Sequence, residues 1–274
     1  MPTYLNMTTD ELKRIVIGAA RKRVDEFQKI TGGFEDRGIL NSEMLAVCSL
    51  AEELGVEVFI ESGRWLGQST EVLARYFENK PVIIESVEAF YDENAVHVEE
   101  KMKGKKNLHL LYGDANLVVP QLMKKYQGKK MAILFDGPKG GAAIDVFRMG
   151  LTKSDSVIAG FFHDMRRPSQ EMPNNSRREM EAVFPVSFYT DDDDFVKEFG
   201  SLDSGCEIAL WRPYQIDGKP IGSYGPTLGI TLPRPDDRLR AHAERWDIYT
   251  RMTKQALTLG AVKIYHWIRR STGR

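Results

Sequence analysis

Five successive segments of this 274-residue chain each end in an acidic side chain. Glu61 closes VEVFI, Glu85 closes PVII, Asp114 follows LHLLYG, Asp136 closes MAILF, and His163-Asp164 closes SVIAGFF. In an open parallel sheet, ligands bind outside the carboxyl ends of the strands, so a row of acids there describes one shared ligand site. After Glu61 come Gly63 and Gly67, four residues apart, and then Ser69-Thr70 at the head of an amphipathic stretch. A parallel strand delivers a ligand-binding turn to a helix N-terminus in this way, and glycines let the backbone approach a ligand without a Cβ in between. Only two of the three glycines of G-x-G-x-x-G are there, so this is not the dinucleotide fingerprint. GPKGGAA (137–143) carries Lys139 but lacks P-loop spacing, and reads as a flexible loop over the site. Asp191–Asp194 has no EF-hand spacing around it and reads as a solvated loop.

The elements that must position these residues alternate. After a capped helix from Thr8-x-x-Glu11 and a second helix over SEMLAVCSLAEEL, strands VEVFI, PVIIES, LHLLYG, MAILFDG and SVIAGFFHD are interleaved with helices STEVLARYF, DENAVHVEEKM, LVVPQLMKKY and AAIDVFRMGL. Pro120 is expected in the first turn of its helix. Short apolar runs are what strands buried on both faces require, and the alternation predicts a doubly wound α/β architecture. Beyond Arg167 the pattern changes: FPVSFYT reads as a strand, and EIALWRP with PTLGITLP as a terminal antiparallel hairpin. A long helical pattern runs from about Asp236 to Arg269. The expected organisation is a helical segment over 1–55, an α/β domain over 56–233 and a basic helical tail over 234–274.

A formal charge of −1 predicts no bulk attraction to nucleic acid or membranes. The tail departs from this balance, with ten Lys/Arg against four Asp/Glu between Arg234 and Arg274. Packing on the domain or on a second copy is its default reading, with peripheral contact to an anionic membrane as the alternative. Cys48 and Cys206 have no metal-ligand spacing and are expected as buried thiols in a reducing compartment. With no signal-peptide pattern and no run of eighteen apolar residues, the chain reads as cytoplasmic.

From Met44 to Pro233 the chain resembles the class I S-adenosylmethionine-dependent methyltransferases. It looks most like the subgroup with E-x-G-x-x-x-G-x-S-T, present here as ESGRWLGQST, which includes small-molecule O-methyltransferases and cephalosporin-hydroxylase-like proteins. The family's strand-two acid is matched by Glu85, with Glu88 as the alternative three residues on. Its Gly-Asp-Ala is matched by Gly113-Asp114-Ala115, and its Asp-Gly by Asp136-Gly137. The resemblance implies a seven-stranded, mostly parallel Rossmann-like sheet with a C-terminal antiparallel hairpin. It implies S-adenosylmethionine bound by Glu61, Gly63, Gly67, Ser69, Glu85, Asp114 and Ala115, with Asp136 and His163 near the reacting centre. Such a donor carries a ribose diol, an adenine amine, a sulfonium and an ammonium but no phosphate, so carboxylates suit it.

The implied reaction is O-methylation of a small molecule such as a sugar or natural product. In metal-dependent relatives, acids after strands four and five hold Mg²⁺. Asp136 and Asp164 occupy those places, but His163-Asp164-Met165 stands where the catechol-type pattern has Asp-Asn. Two rivals stay open: a metal-dependent hydroxylase-like enzyme on the same scaffold, and a non-catalytic binding or assembly subunit.

Overall fold

Strands covered on both faces need apolar side chains on both. In the computed structural model, which describes residues 6–31, 38–165, 176–204, 214–216, 219–221 and 227–271, the apolar runs form such strands. Two helices come first, α1 (Thr9–Thr31) and α2 (Asn41–Glu53). Then follow β1 (Val58–Ser62), α3 (Gln68–Tyr76), β2 (Ile83–Glu88), α4 (Glu93–Lys101), β3 (Leu108–Tyr112), α5 (Ala115–Lys125), β4 (Met131–Phe135), α6 (Gly141–Leu151) and β5 (Val157–Phe162). β1 and β4 are buried at every residue. The five strands pair in parallel in the order β3-β2-β1-β4-β5. The chain reverses direction of travel across the sheet between β1 and β4, and there a doubly wound sheet opens its ligand crevice.

The remaining elements are α7 (Ser176–Val183), β6 (Ser187–Tyr189), α8 (Asp193–Phe199), a two-stranded unit of β7 (Tyr214–Ile216) and β8 (Lys219–Ile221), β9 (Gly229–Thr231), α9 (Pro235–Ala243) and α10 (Arg245–Ser271). β9 inserts antiparallel between β5 and β6, completing a seven-stranded Rossmann-like sheet in the order β3-β2-β1-β4-β5-β9-β6. The antiparallel pair at the sheet's end therefore joins PTLGITLP to FPVSFYT; EIALWRP lies outside the described residues, as does Cys206.

Two apolar layers sandwich the sheet. Residues of α1, α2 and α3 share one core with Phe59 and Ile84, and residues of α5 and α6 share the other with Ile60 and Ile133. Ile248 and Met252 join that second layer, and burying each contributes roughly 1.5–3 kcal/mol toward holding α10 on α6. The expected single C-terminal helix is two helices, because the backbone leaves helical geometry at Glu244. No described helix is long and apolar enough to cross a membrane.

Local signals behave as chemistry dictates. The Thr8 amide donates to Glu11 Oε2 at 2.7 Å and the Glu11 amide to Thr8 Oγ1 at 3.2 Å, a reciprocal cap on α1. α5 starts at Ala115, earlier than expected, because Asp114 caps it; Pro120 thus falls in the second turn. The aspartate run is not a solvated loop. Asp192 caps α8 and pairs with Lys13, while Asp191 pairs with Arg177.

Candidate functional site

The turn between β1 and α3 is braced from behind. Glu61 is fully buried, and its carboxylate accepts from Ser69 Oγ (2.5 Å), Thr70 Oγ1 (2.5 Å) and Ser86 Oγ (2.6 Å). Burial pushes its pKa up against those three donors. Glu61 and Ser69 therefore tie α3 to the sheet, and neither is on the wall of the neighbouring cavity. Gly67, with φ of 76°, begins α3; a Cβ on it would come within 2.9 Å of Val98 on α4, so it too serves the turn.

Gly63 lies on the cavity wall. This cavity of about 310 Å³, within the usual range for small-ligand sites, opens at the carboxyl ends of β1 to β4. Ser62-Gly63 and Gly137-Pro138 form one wall, Glu88-Ala89-Phe90 the next, and Gly113 to Asn116 a third. Asp114 and Ala115, both expected as ligand-binding, are on that third wall. The Asp114 carboxylate also accepts from the Asn116 backbone amide (2.9 Å) and from Asn116 Nδ2 (2.8 Å).

Glu85 is not at the cavity. β2 continues three residues past it to Glu88, so Glu85 lies within the strand, paired in register with Ile60 and His109. Its buried carboxylate accepts from Tyr126 and, at 2.9 Å, from Lys125, with His109 at 3.3 Å. Burial opposes its charge, yet these donors hold its pKa below the usual carboxylate range. Glu88 holds the cavity position instead. Its Oε2 accepts the backbone amides of Arg64 (3.0 Å) and Trp65 (2.9 Å), and its Oε1 that of Ala89 (2.7 Å). A carboxylate offers about four lone-pair sites, so three such bonds leave room for one further donor.

Asp136, His163 and Asp164 do converge, with potential ligand atoms within 4.8 Å of one another. Lys139, expected in a flexible loop over the site, lies among them: its Nζ is 2.6 Å from Asp136 Oδ1 and 2.5 Å from Asp164 Oδ2. His163 Nδ1 is 2.6 Å from the same Asp136 oxygen. The residues as arranged do not fit a divalent cation, because an ammonium already stands between the two carboxylates and the imidazole faces Asp136. His163 Nε2 faces Glu43 Oε2 of α2 across 3.5 Å, an ion-pair distance. Burial works against a charged His163, but Asp136 and Glu43 outweigh it and raise its pKa to about 10. The two flanking carboxylates thus favour the protonated imidazole. Asp136, opposed by burial but flanked by His163 and Lys139, is held below its ordinary pKa. Glu43 gave no signal in the sequence, being one acid in the first turn of a helix that is otherwise apolar and buried.

No protein-family model matches the chain, and no curated protein sequence matches it either. Solved structures with a similar course of chain include the O-methyltransferase TomG from Streptomyces achromogenes, involved in tomaymycin synthesis and solved with SAM. It is 14% identical over 80% of this chain and 89% of its own, with a TM-score of 0.42. An O-methyltransferase from Bacillus cereus solved with SAH is 16% identical over 79% of this chain and 91% of its own, with a TM-score of 0.43. Human methyltransferase-like protein 13, also solved with SAH, is 13% identical over 77% of this chain and 88% of its own, with a TM-score of 0.38. Similarity at this level transfers no residue role to this chain.

Proposed function

We propose that this chain is an S-adenosylmethionine-dependent methyltransferase acting on an oxygen of a small molecule. The observation that carries the reading is the Glu88 carboxylate on the backbone amides of Arg64 and Trp65. Those amides are the donors that a phosphate would need at a strand–turn–helix junction. A carboxylate already takes them, so the turn offers negative charge rather than a phosphate cradle, and a diphosphate-bearing dinucleotide is repelled. A cationic donor with a ribose diol suits the same surface.

Glu88 would hold a ribose hydroxyl, Asp114 would accept from the base, and Gly63 would let the backbone approach the ligand. When bound, S-adenosylmethionine supplies a methyl group activated by its sulfonium. The chain's own part is orientation and charge. Gly137-Pro138 on the cavity wall lead directly to Lys139, which places the Asp136–Lys139–Asp164 cluster beside the donor cavity. An acceptor hydroxyl set against this cluster meets an ammonium that stabilises developing oxyanion charge and the Asp136 carboxylate, which would take the hydroxyl proton as the methyl group passes to the oxygen and the sulfonium leaves as a neutral thioether. His163 keeps Asp136 in place and ionised.

The metal-dependent rival loses support because Lys139 fills the centre of its ligand set. Calorimetric titration with S-adenosylmethionine, with NAD⁺ as the comparison, tests the reading. Saturable binding of the sulfonium ligand and none of the dinucleotide is expected; the reverse preference would overturn it. A cytoplasmic location and a small-molecule acceptor belong to the same proposal.

A further inference from the structure

Helix α10 has two faces, and the described residues of the chain cover only one of them. Ile248, Met252, Gln255 and Leu259 recur at helical spacing on the inner face. The first two are buried with residues of α6, and the last two line the ligand cavity. Arg251 fastens this side with a two-pronged ion pair to Asp145 on α6, at 2.7 and 2.6 Å. Trp246, Tyr249, Thr253 and Leu257 recur at the same spacing on the opposite face, and all four are exposed. Trp246 and Leu257 keep 69% and 70% of their surface open, so no described residue covers them. The Trp246 and Tyr249 rings meet edge to face at 6.4 Å, and the Arg245 guanidinium lies 5.3 Å from the Trp246 ring. In the sequence the spacing returns at Ala261, Ile264 and Ile268, still within α10. The helix carries six Lys/Arg and a single acid, Asp247, in a chain whose formal charge is −1.

We propose that the outer face of α10 docks the protein on an anionic lipid surface, lying along the headgroup layer. An exposed apolar stripe with basic residues beside it is the pattern of a helix that rests in a membrane interface. Trp and Tyr rings, apolar in body and polar at one edge, settle at headgroup level. Arg245 and Lys254 are exposed on either flank of the stripe, where lipid phosphates would meet them. A second copy set stripe to stripe would bring two strongly cationic helices together, and like-charge juxtaposition opposes that. A nucleic acid would match the charge but leave Leu257 without an apolar partner. A bilayer surface answers both features, with phosphates for the cations and acyl chains for the stripe. The proposal holds whichever ligand the cavity takes.

The experiment is co-sedimentation of the full chain with vesicles of phosphatidylcholine alone and of phosphatidylcholine mixed equally with phosphatidylglycerol. The wild type is expected to partition at least about tenfold more strongly onto the mixed vesicles, and to lose that preference as salt is raised. Leu257→Glu is expected to weaken partition about tenfold and Lys254→Gln about fivefold, with thermal melts unchanged because both side chains are exposed. Equal partition onto the two vesicle types, or none onto either, overturns the proposal. Unchanged partition in both variants overturns it too. A concentration-dependent dimer that Leu257→Glu abolishes would assign the face to a second copy, and an oligonucleotide bound as tightly as the mixed vesicles would assign it to nucleic acid. Either result overturns the lipid reading. The vesicle comparison needs no variant, so a misfolded substitution leaves the proposal open to refutation.

Discussion

A Cβ on Gly63 would lie 2.4 Å from the amide nitrogen of Gly137. The turn after β1 and the turn after β4 thus meet backbone to backbone, at the point where the order of the strands reverses. Gly63 also has φ of 84°, in the left-handed region that costs other residues ~1–2 kcal/mol. Both constraints act on one residue that also lines the cavity. Gly63→Ala is expected to lower Tm by at least ~5 °C and to weaken ligand binding, as read by thermal melts with and without S-adenosylhomocysteine. A Gly63→Ala protein with wild-type Tm would show that the two turns do not touch.

Glu88 and Glu85 separate by what each variant loses. Glu88→Gln removes the charge that faces the cavity, and is expected to weaken S-adenosylmethionine binding about tenfold. Glu85→Gln leaves the cavity intact but strips a buried site of the charge that pairs with Lys125, so Tm should fall while affinity holds. Calorimetry and melts on both variants check this, and the opposite pattern would restore Glu85 to the ligand.

Lys139 governs metal binding at the second cluster. Wild-type turnover is expected to be indifferent to EDTA, and Mn²⁺ titration followed by electron paramagnetic resonance should show no tight site. Lys139→Ala leaves Asp136 and Asp164 facing each other without their shared ammonium, and should gain a Mn²⁺ site. Tight Mn²⁺ binding by the wild type would contradict the role given to Lys139.

Stability should fall as pH rises toward neutrality. Asp203 is buried against α2, where it accepts from the Ser42 amide at 3.0 Å and the Ser42 hydroxyl at 2.6 Å. Burial outweighs these donors and raises its pKa to about 7. Between its unfolded value, about 3.9, and its folded one, the native state binds more protons than the unfolded state, so stability declines across that window and then levels off. Glu43 and Glu61, also raised by burial, act in the same direction. Asp203→Asn should flatten the fall in Tm between pH 5 and 8, and a variant with the wild-type slope would remove Asp203 from the account.

What was legible in the sequence was local or periodic. The Thr8–Glu11 cap and the apolar strands each need only neighbours a few residues away. Glu85 misled because a charged residue usually ends a buried strand. Here Tyr126 and Lys125 from the end of α5 satisfy it, so β2 runs on through Ser86 and Val87 to Glu88. Lys139 was visible, but its role depends on β4 and β5 bringing Asp136 and Asp164 to either side of one nitrogen. Glu43 and Gln255 carried no motif at all. They reach their sites on helices packed from the two ends of the chain, and no local spacing encodes that.

The most direct measurement is a crystal structure with S-adenosylhomocysteine. The ligand is expected in the cavity at the ends of β1 to β4, with a ribose hydroxyl within hydrogen-bond distance of Glu88 and the base against Asp114 and Asn116. Ligand density elsewhere, or a ribose bound away from Glu88, would contradict the account.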